Sequence, residues 1–366
     1  MAGSSFGNIF KITTWGESHG EGIGVVVDGC PAGLEISEEY IQTYLDRRKP
    51  GQSKYTTQRS ETDTVKILSG VFEGRTTGTP ISMIVYNKTQ RSSDYSEIAG
   101  YYRPGHADYT FDEKYGFRDY RGGGRSSGRE TIGRVAAGAI ACKMLSELGI
   151  TVTAYAKSIG DIEIDYNNFD IKERDNNPVA MPDVYASRRA EELLKQKMAE
   201  KDSVGGVVEC IVKNMRTGVG EPVFDRLDAC LAKAVMSIGA VKGVEIGAGF
   251  KASGMSGSEN NDNFYMENGS VMKRTNNAGG ILGGISDGSD IVLRAAFKPT
   301  PSIFREQATI NRKHENINIE IKGRHDPIIV PRAVVVVETM TALTVSDLLM
   351  VSMTSTMDRI KKLFID

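Results

Sequence analysis

Arg121-Gly122-Gly123-Gly124-Arg125-Ser126-Ser127-Gly128-Arg129-Glu130 is the stretch around which the rest of the chain is organised. Three consecutive glycines pack nothing and lose the most backbone entropy on folding, so the run is a poor core segment. Its use is close backbone approach between arginines, whose planar donor forks match carboxylates and phosphates. From Thr131 onward apolar residues return every three or four positions as far as Leu145 and Leu148, the period of a helix. Ser127 and Glu130 have the S-x-x-E spacing of a capping box, so the loop is expected to run straight into that helix. A glycine-rich, arginine-flanked loop that opens on the free N–H groups of a helix start suits anions. The first expectation is a protein that handles polyanionic small molecules.

Outward from the loop, the surroundings are basic in a chain that is not. Between Arg47 and Arg134, 16 Lys or Arg stand against 10 Asp or Glu, and 11 of the 16 are arginine, which favours oriented anion recognition. The full 366 residues carry a formal net charge of −2, so nothing draws the chain globally to nucleic acid or to an anionic membrane. A hydrophobic content of 40% with 25% charged residues is that of a globular protein able to bury a large core. Cys30, Cys142, Cys210 and Cys230 form no C-x-x-C pair, and no signal peptide opens the chain. Reduced thiols and a cytoplasmic location are expected. No apolar run approaches the ~18 residues of a membrane span, and none of the four histidines stands at metal-ligand spacing from another.

Ser37 is placed to cap a helix through Ile41 and Leu45 to Arg47-Arg48-Lys49, stopped by Pro50-Gly51. Cations at that end suit the helix dipole, and they also continue into a polar loop with Lys54 and Arg59 that is free to face a ligand. Strands are expected at residues 24–27, 65–68, 81–86, 204–215, 241–247 and 291–297. The run at 334–337, after the apolar Ile328-Ile329-Val330, is read as a strand as well. Helices are expected at 186–201, 225–238 and 346–363. Residues 88–130 show weak periodicity, the mark of a functional loop region, and 254–277 is a candidate mobile flap. The glycine-dense 278–288 stretch is no G-x-G-x-x-G fingerprint, so a dinucleotide fold is not supported. No linker or composition break divides the chain. The irregular alternation points to one mixed unit of antiparallel character.

Two histidines sit on short polar motifs: His19 in Gly16-Glu17-Ser18-His19-Gly20, and His106 in Arg103-Pro104-Gly105-His106-Ala107-Asp108. A histidine bonded in a turn is the bland alternative to general acid–base work in both. Asp108 is near enough in sequence to orient the His106 ring. Lys298-Pro299-Thr300-Pro301-Ser302 offers a stiff turn with a cation and two hydroxyls, and Arg324-His325-Asp326-Pro327 a further charged turn.

These five segments, in this order and over essentially the whole chain, resemble the chorismate synthase family. The resemblance implies an α+β fold, a single-domain β-α-β sandwich with a helical layer between antiparallel sheets, spanning 1–366 and assembled as a homotetramer. It implies a lyase of aromatic amino acid biosynthesis that converts 5-enolpyruvylshikimate 3-phosphate to chorismate and phosphate by anti-1,4-elimination. This is the last shared step of the shikimate pathway, and it requires reduced FMN without net redox change. By resemblance His106 is the histidine that protonates reduced flavin, His19 the one near the leaving phosphate, and Asp326 the proton-accepting carboxylate. Flavin contacts carry over to Arg125, Ser126, Ser127, Gly239, Ala240, Gly284, Lys298, Pro299, Thr300, Pro301, Ser302 and Arg324. Arg48, Lys54 and Arg129 match substrate-side cations, where a pyridine nucleotide (NADP) has also been placed. Lys54 stands where the family has arginine, and Gly239 where it has asparagine. The triple glycine then reads as room for flavin. With no reductase domain evident, an external flavin reductant is expected. Two rivals remain: an RGG-type nucleic-acid binder, which needs a longer disordered basic tract, and a flavin oxidoreductase, which would consume NAD(P)H in proportion to product.

Overall fold

The helix that follows the glycine loop lies at the centre of the molecule, and the chain wraps two sheets around it. A computed structural model describes residues 3–52, 55, 62–87, 97–321 and 326–365. Its helices are α1 (Glu38–Arg48), α2 (Asp108–Tyr115), α3 (Thr131–Glu147), α4 (Val184–Ala199), α5 (Leu227–Met236), α6 (Gly257–Asn260), α7 (Val330–Val351) and α8 (Met357–Phe364). One five-stranded sheet has the spatial order Ser5–Phe6, Lys11–Gly16, Gly22–Asp28, Ile81–Tyr86, Val65–Ile67. The other has the order Val241–Ile246, Ile291–Phe297, Gly206–Lys213, Thr151–Ile159, Ile162–Glu163. Strand pairings among the described residues are all antiparallel.

Helices α1, α3, α5 and α7 fill the space between the sheets: α3 packs on the first sheet and on α7, and α7 packs on the second. The expected architecture, a helical layer between antiparallel sheets, is the one found. Helix α3 is apolar nearly all round, with Ile132, Val135, Ile140 and Leu145 buried, as a helix covered on both sides requires. Ser37 caps α1 as expected, its hydroxyl accepting the Tyr40 N–H at 3.2 Å.

Four expectations are corrected. The valine run at 334–337 is not a strand; it belongs to α7, which runs from Val330 to Val351 before a 3-10 turn and α8. Valine favours strands, but a long run without period 2 also fits a helix buried on every face, and burial decides. The helical segment Val330–Thr354 is long and apolar enough to cross a membrane, contrary to the expected absence of such a run. Yet 83% of its most apolar window is buried inside the protein. Residues 254–277 are not one loop: α6 and the hairpin of Phe264–Glu267 with Ser270–Lys273 occupy them. The Asp262 carboxylate ties that hairpin down by accepting from Thr275 Oγ1 at 2.6 Å and from the Asn277 and Ala278 N–H groups. Within 88–130, α2 forms although it has no apolar stripe; its support is ionic, with buried Asp108 between Arg103 and Arg118.

Candidate functional site

The glycine loop enters α3 through two 3-10 turns, Gly124–Ser126 and Gly128–Glu130. Ser127 caps the second, its hydroxyl accepting the Arg129 N–H at 3.3 Å, but the capping box is not formed. The buried Glu130 carboxylate instead accepts from Thr14 Oγ1 at 2.8 Å and from Arg134 Nε at 2.7 Å, because the first sheet runs beside the helix start. Arg125 is held by the same strand, donating to the Thr14 and Gly16 carbonyls at 3.2 and 3.1 Å and to Thr14 Oγ1 at 2.7 Å. Arg121 is held by Asp119 through Nε and Nη2, and Ser126 Oγ donates to the Gly123 carbonyl. Two of the loop's arginines therefore build its walls.

His19 lies on the loop between the first sheet's two longest neighbouring strands, with Nδ1 at 3.2 Å from Ser18 Oγ. A Cβ on Gly122 would fall 2.3 Å from its ring, so this glycine gives room to His19 rather than to a ligand. The ring borders an open cleft of about 370 Å³, lined also by Trp15, Glu17, Glu21, Asp119 and Arg121.

Behind the cleft runs a buried ionic chain. Asn87 donates to the Glu17 and Gly20 carbonyls at 3.0 and 2.8 Å, and its own carbonyl oxygen accepts from Arg129 Nε and Nη2 at 3.0 and 2.7 Å. Arg129 also pairs with Asp63 at 3.2 Å, whose second oxygen binds Arg48 Nη2. Arg48 is 1% exposed, and among the described residues its Nε–H has no hydrogen-bond partner. Burial lowers the Arg48 pKa to about 10, with Asp63 opposing the shift and the cations of Arg332 and Arg129 adding to it. The Arg48 carbonyl accepts from Arg332 Nε at 3.0 Å, and Arg332 Nη1 donates to Asp326 Oδ2 at 2.5 Å. Arg48, Arg129 and Asp326 are thus brought together. Lys54 and Arg324 lie outside the described residues, as do Arg59 and His325.

His106 forms a second group with the 298–302 turn. Asp108 does not orient its ring, because that carboxylate is held by Arg103 Nε and Nη2 at 2.7 and 2.8 Å and by Arg118 at 3.0 Å. The partner is Ser302 Oγ, 2.7 Å from His106 Nε2. Gly105 permits the approach: it has φ +69°, and a Cβ there would lie 2.8 Å from Pro301 Cβ. Its carbonyl accepts from Lys298 Nζ at 2.8 Å. Lys298 N–H in turn donates to the Ala240 carbonyl at 3.0 Å, which brings Gly239 and Ala240 to the same turn. Gly284 is not drawn in; its carbonyl accepts from Leu227 N–H, and it packs on Arg226 and Glu221.

The two groups are joined through the backbone. Pro327, next to Asp326, accepts from Val204 N–H at 3.1 Å, and Ser203 Oγ donates to the Thr300 carbonyl at 2.7 Å. Reading sequence alone missed Asp63, Asn87 and Arg332. Arg332 carries a signal, a cation directly after Pro331 in an otherwise apolar run, but the valines that follow read as a strand.

The turn also suits a flavin phosphate. Thr300 Oγ1 is buried with no hydrogen-bond partner among the described residues, and burial and the neighbouring cation Lys242 both lower the pKa of Lys298. A buried hydroxyl and two mutually repelling cations fit an anion.

A model of the chorismate synthase family matches residues 10–350. The chain is 69% identical over 364 residues, the full length of both, to a chorismate synthase of Lachnospira eligens. It is 57% identical over 350 residues to one of Methanosarcina mazei, covering 95% of this chain and 96% of that one. A crystal structure of a chorismate synthase superposes with a TM-score of 0.76 at 33% identity, covering 98% of this chain and 97% of that one.

Proposed function

The chain belongs to the chorismate synthase family, and on that premise we propose that His19, His106 and Asp326 carry the chemistry while Arg48, Arg129 and the 298–302 turn hold the reactants. The reaction removes phosphate and a ring proton from 5-enolpyruvylshikimate 3-phosphate in a formal anti-1,4-elimination, giving chorismate. The substrate carries two carboxylates and a phosphate, so its site needs fixed cations in a dry setting. The observation that carries the reading is Arg48: a fully buried guanidinium with a donor still open, in a cluster of three arginines and two carboxylates. An anion there relieves the excess charge and takes the open donor.

Lys298, Thr300 and Ser302, with Gly239 and Ala240 at the same turn, would hold FMN, and Ser126 and Ser127 of the glycine loop would add to that site. Reduced FMN, when bound, supplies electron density that assists C–O cleavage. His19, anchored by Ser18, supports the departing phosphate by proton donation, and Asp326 takes up the proton lost from the ring. His106 holds its proton toward the flavin side, its ring fixed by Ser302. Arg125 acts through the wall it ties to Thr14 and Gly16. The chain works as one catalytic domain in the cytoplasm, as a homotetramer supplied with reduced flavin by an external reductant. The helical layer shared by both sheets supports the single-domain reading.

His106→Ala and Asp326→Ala are expected to keep FMN affinity, read by quenching of flavin fluorescence, and to lose at least ~100-fold in kcat, the usual scale of general acid–base catalysis. Near wild-type turnover in either variant removes that residue from its role.

A further inference from the structure

Arg332 is the one described cation that touches both parts of the buried chain, the Asp326 carboxylate through Nη1 and the Arg48 carbonyl through Nε. Its place has no explanation in the helix it belongs to. It lies in the first turn of α7, behind Pro331, where the helix dipole disfavours a cation. Nor is it a surface pair, since the two side chains are 19% and 10% exposed, so bulk screening is weak. The backbone around the carboxylate is held as well: Asp326 precedes a proline, which confines it to extended conformations, and the Pro327 carbonyl is bonded to Val204 N–H. With backbone and side chain both fixed, the carboxylate has little freedom to rotate, which is the state a proton acceptor needs.

We propose that Arg332 is a positioning residue for the reaction: its guanidinium locks the Asp326 carboxylate as an oriented anion and registers it against the end of α1 that carries Arg48. This rests on the reading of Asp326 as the proton acceptor. Arg332 touches no reacting atom in this account; it acts through Asp326. The second bond matters because it couples two functions. The Nε donor fixes the distance between the base and the buried arginine of the anion site, so one planar group holds the base in register with that site. A lysine preserves the charge but loses this two-pronged geometry.

The test is a double-mutant cycle on Arg332→Met and Asp326→Asn in the full chain, with Arg332→Lys as the charge-preserving control. Arg332→Met should lower kcat at least ~10-fold, as misplacement of a catalytic group does. The substrate KM and the Kd for oxidised FMN should stay within about threefold, and Arg332→Lys should recover part of the loss. The double variant should turn over no more slowly than Asp326→Asn alone, because the residue being positioned is gone. The flavin-free proteins supply the second readout: their melting temperatures should be non-additive, with the double variant losing less than the sum of the singles. Multiplicative losses in kcat, or a rise in KM with kcat unchanged, overturn the role of Arg332 while leaving that of Asp326 intact. Wild-type turnover by Asp326→Asn instead removes the proton acceptor, and the positioning role with it. Should Arg332→Met fail to fold, the same cycle is run with Arg332→Lys, and additive losses there overturn the proposal equally.

Discussion

Lys298 shares its surroundings with Lys242, and burial together with that second cation lowers its pKa from the ordinary lysine value. A depressed lysine loses its proton at lower pH than a free one, and with it the charge proposed to hold the flavin phosphate. FMN affinity should therefore fall as pH rises through the lowered pKa, below the usual lysine value of 10.5. Binding above that pKa should take up a proton. Fluorescence titration from pH 7 to 10 checks this, and Lys298→Met should bind weakly with a flat profile; a flat wild-type profile contradicts it. Arg48→Ala is expected mainly to raise the substrate KM, as loss of a charge contact does, whereas an unchanged KM would leave Arg48 a structural partner of Asp63. At this scale the sequence offered candidate residues but not their partners. Asp108 is two residues from His106, yet Arg103 and Arg118 hold it, and the partner Ser302 comes from a turn 196 residues away. Spacing along the chain cannot show which of several cations a carboxylate meets once the chain is folded.

The element that carries the architecture is α7, packed against α3 inside the helical layer. Contact is closest at Gly138, where a Cβ would lie 2.3 Å from Thr339 Cβ and 2.8 Å from the Thr339 carbonyl oxygen. Alanine at a helix interior is better than glycine by about 1 kcal/mol, but overpacking against backbone costs about 1–3 kcal/mol, so the clash should win. Gly138→Ala should lower the melting temperature. A rise would mean that the two helices have room to separate. The sequence showed α1 with its Ser37 cap, and α3 by its period, because each has a boundary or a repeat to read. It did not show α7, whose buried residues run almost without interruption from Val330 to Leu348 and so carry no period at all. It also missed α2, which rests on ion pairs among residues that any polar loop contains.

For the whole molecule, the sandwich places His19 and Arg125 against the first sheet, and Lys298 to Ser302 at the end of a strand of the second. The ionic chain from Asn87 to Asp326 spans the end of the helical layer, from α3 through α1 to α7. The antiparallel α+β class was legible from the alternation of elements and from the motif order. Which motifs meet was not, since that depends on how two sheets and three helix ends come together. The central claim is an elimination that needs reduced flavin yet consumes none. Its most direct measurement is anaerobic phosphate release from 5-enolpyruvylshikimate 3-phosphate with and without chemically reduced FMN. The account predicts release only with reduced FMN, one phosphate per chorismate over many turnovers, and flavin still reduced at the end. Release without reduced flavin, or flavin oxidised in proportion to product, would contradict it.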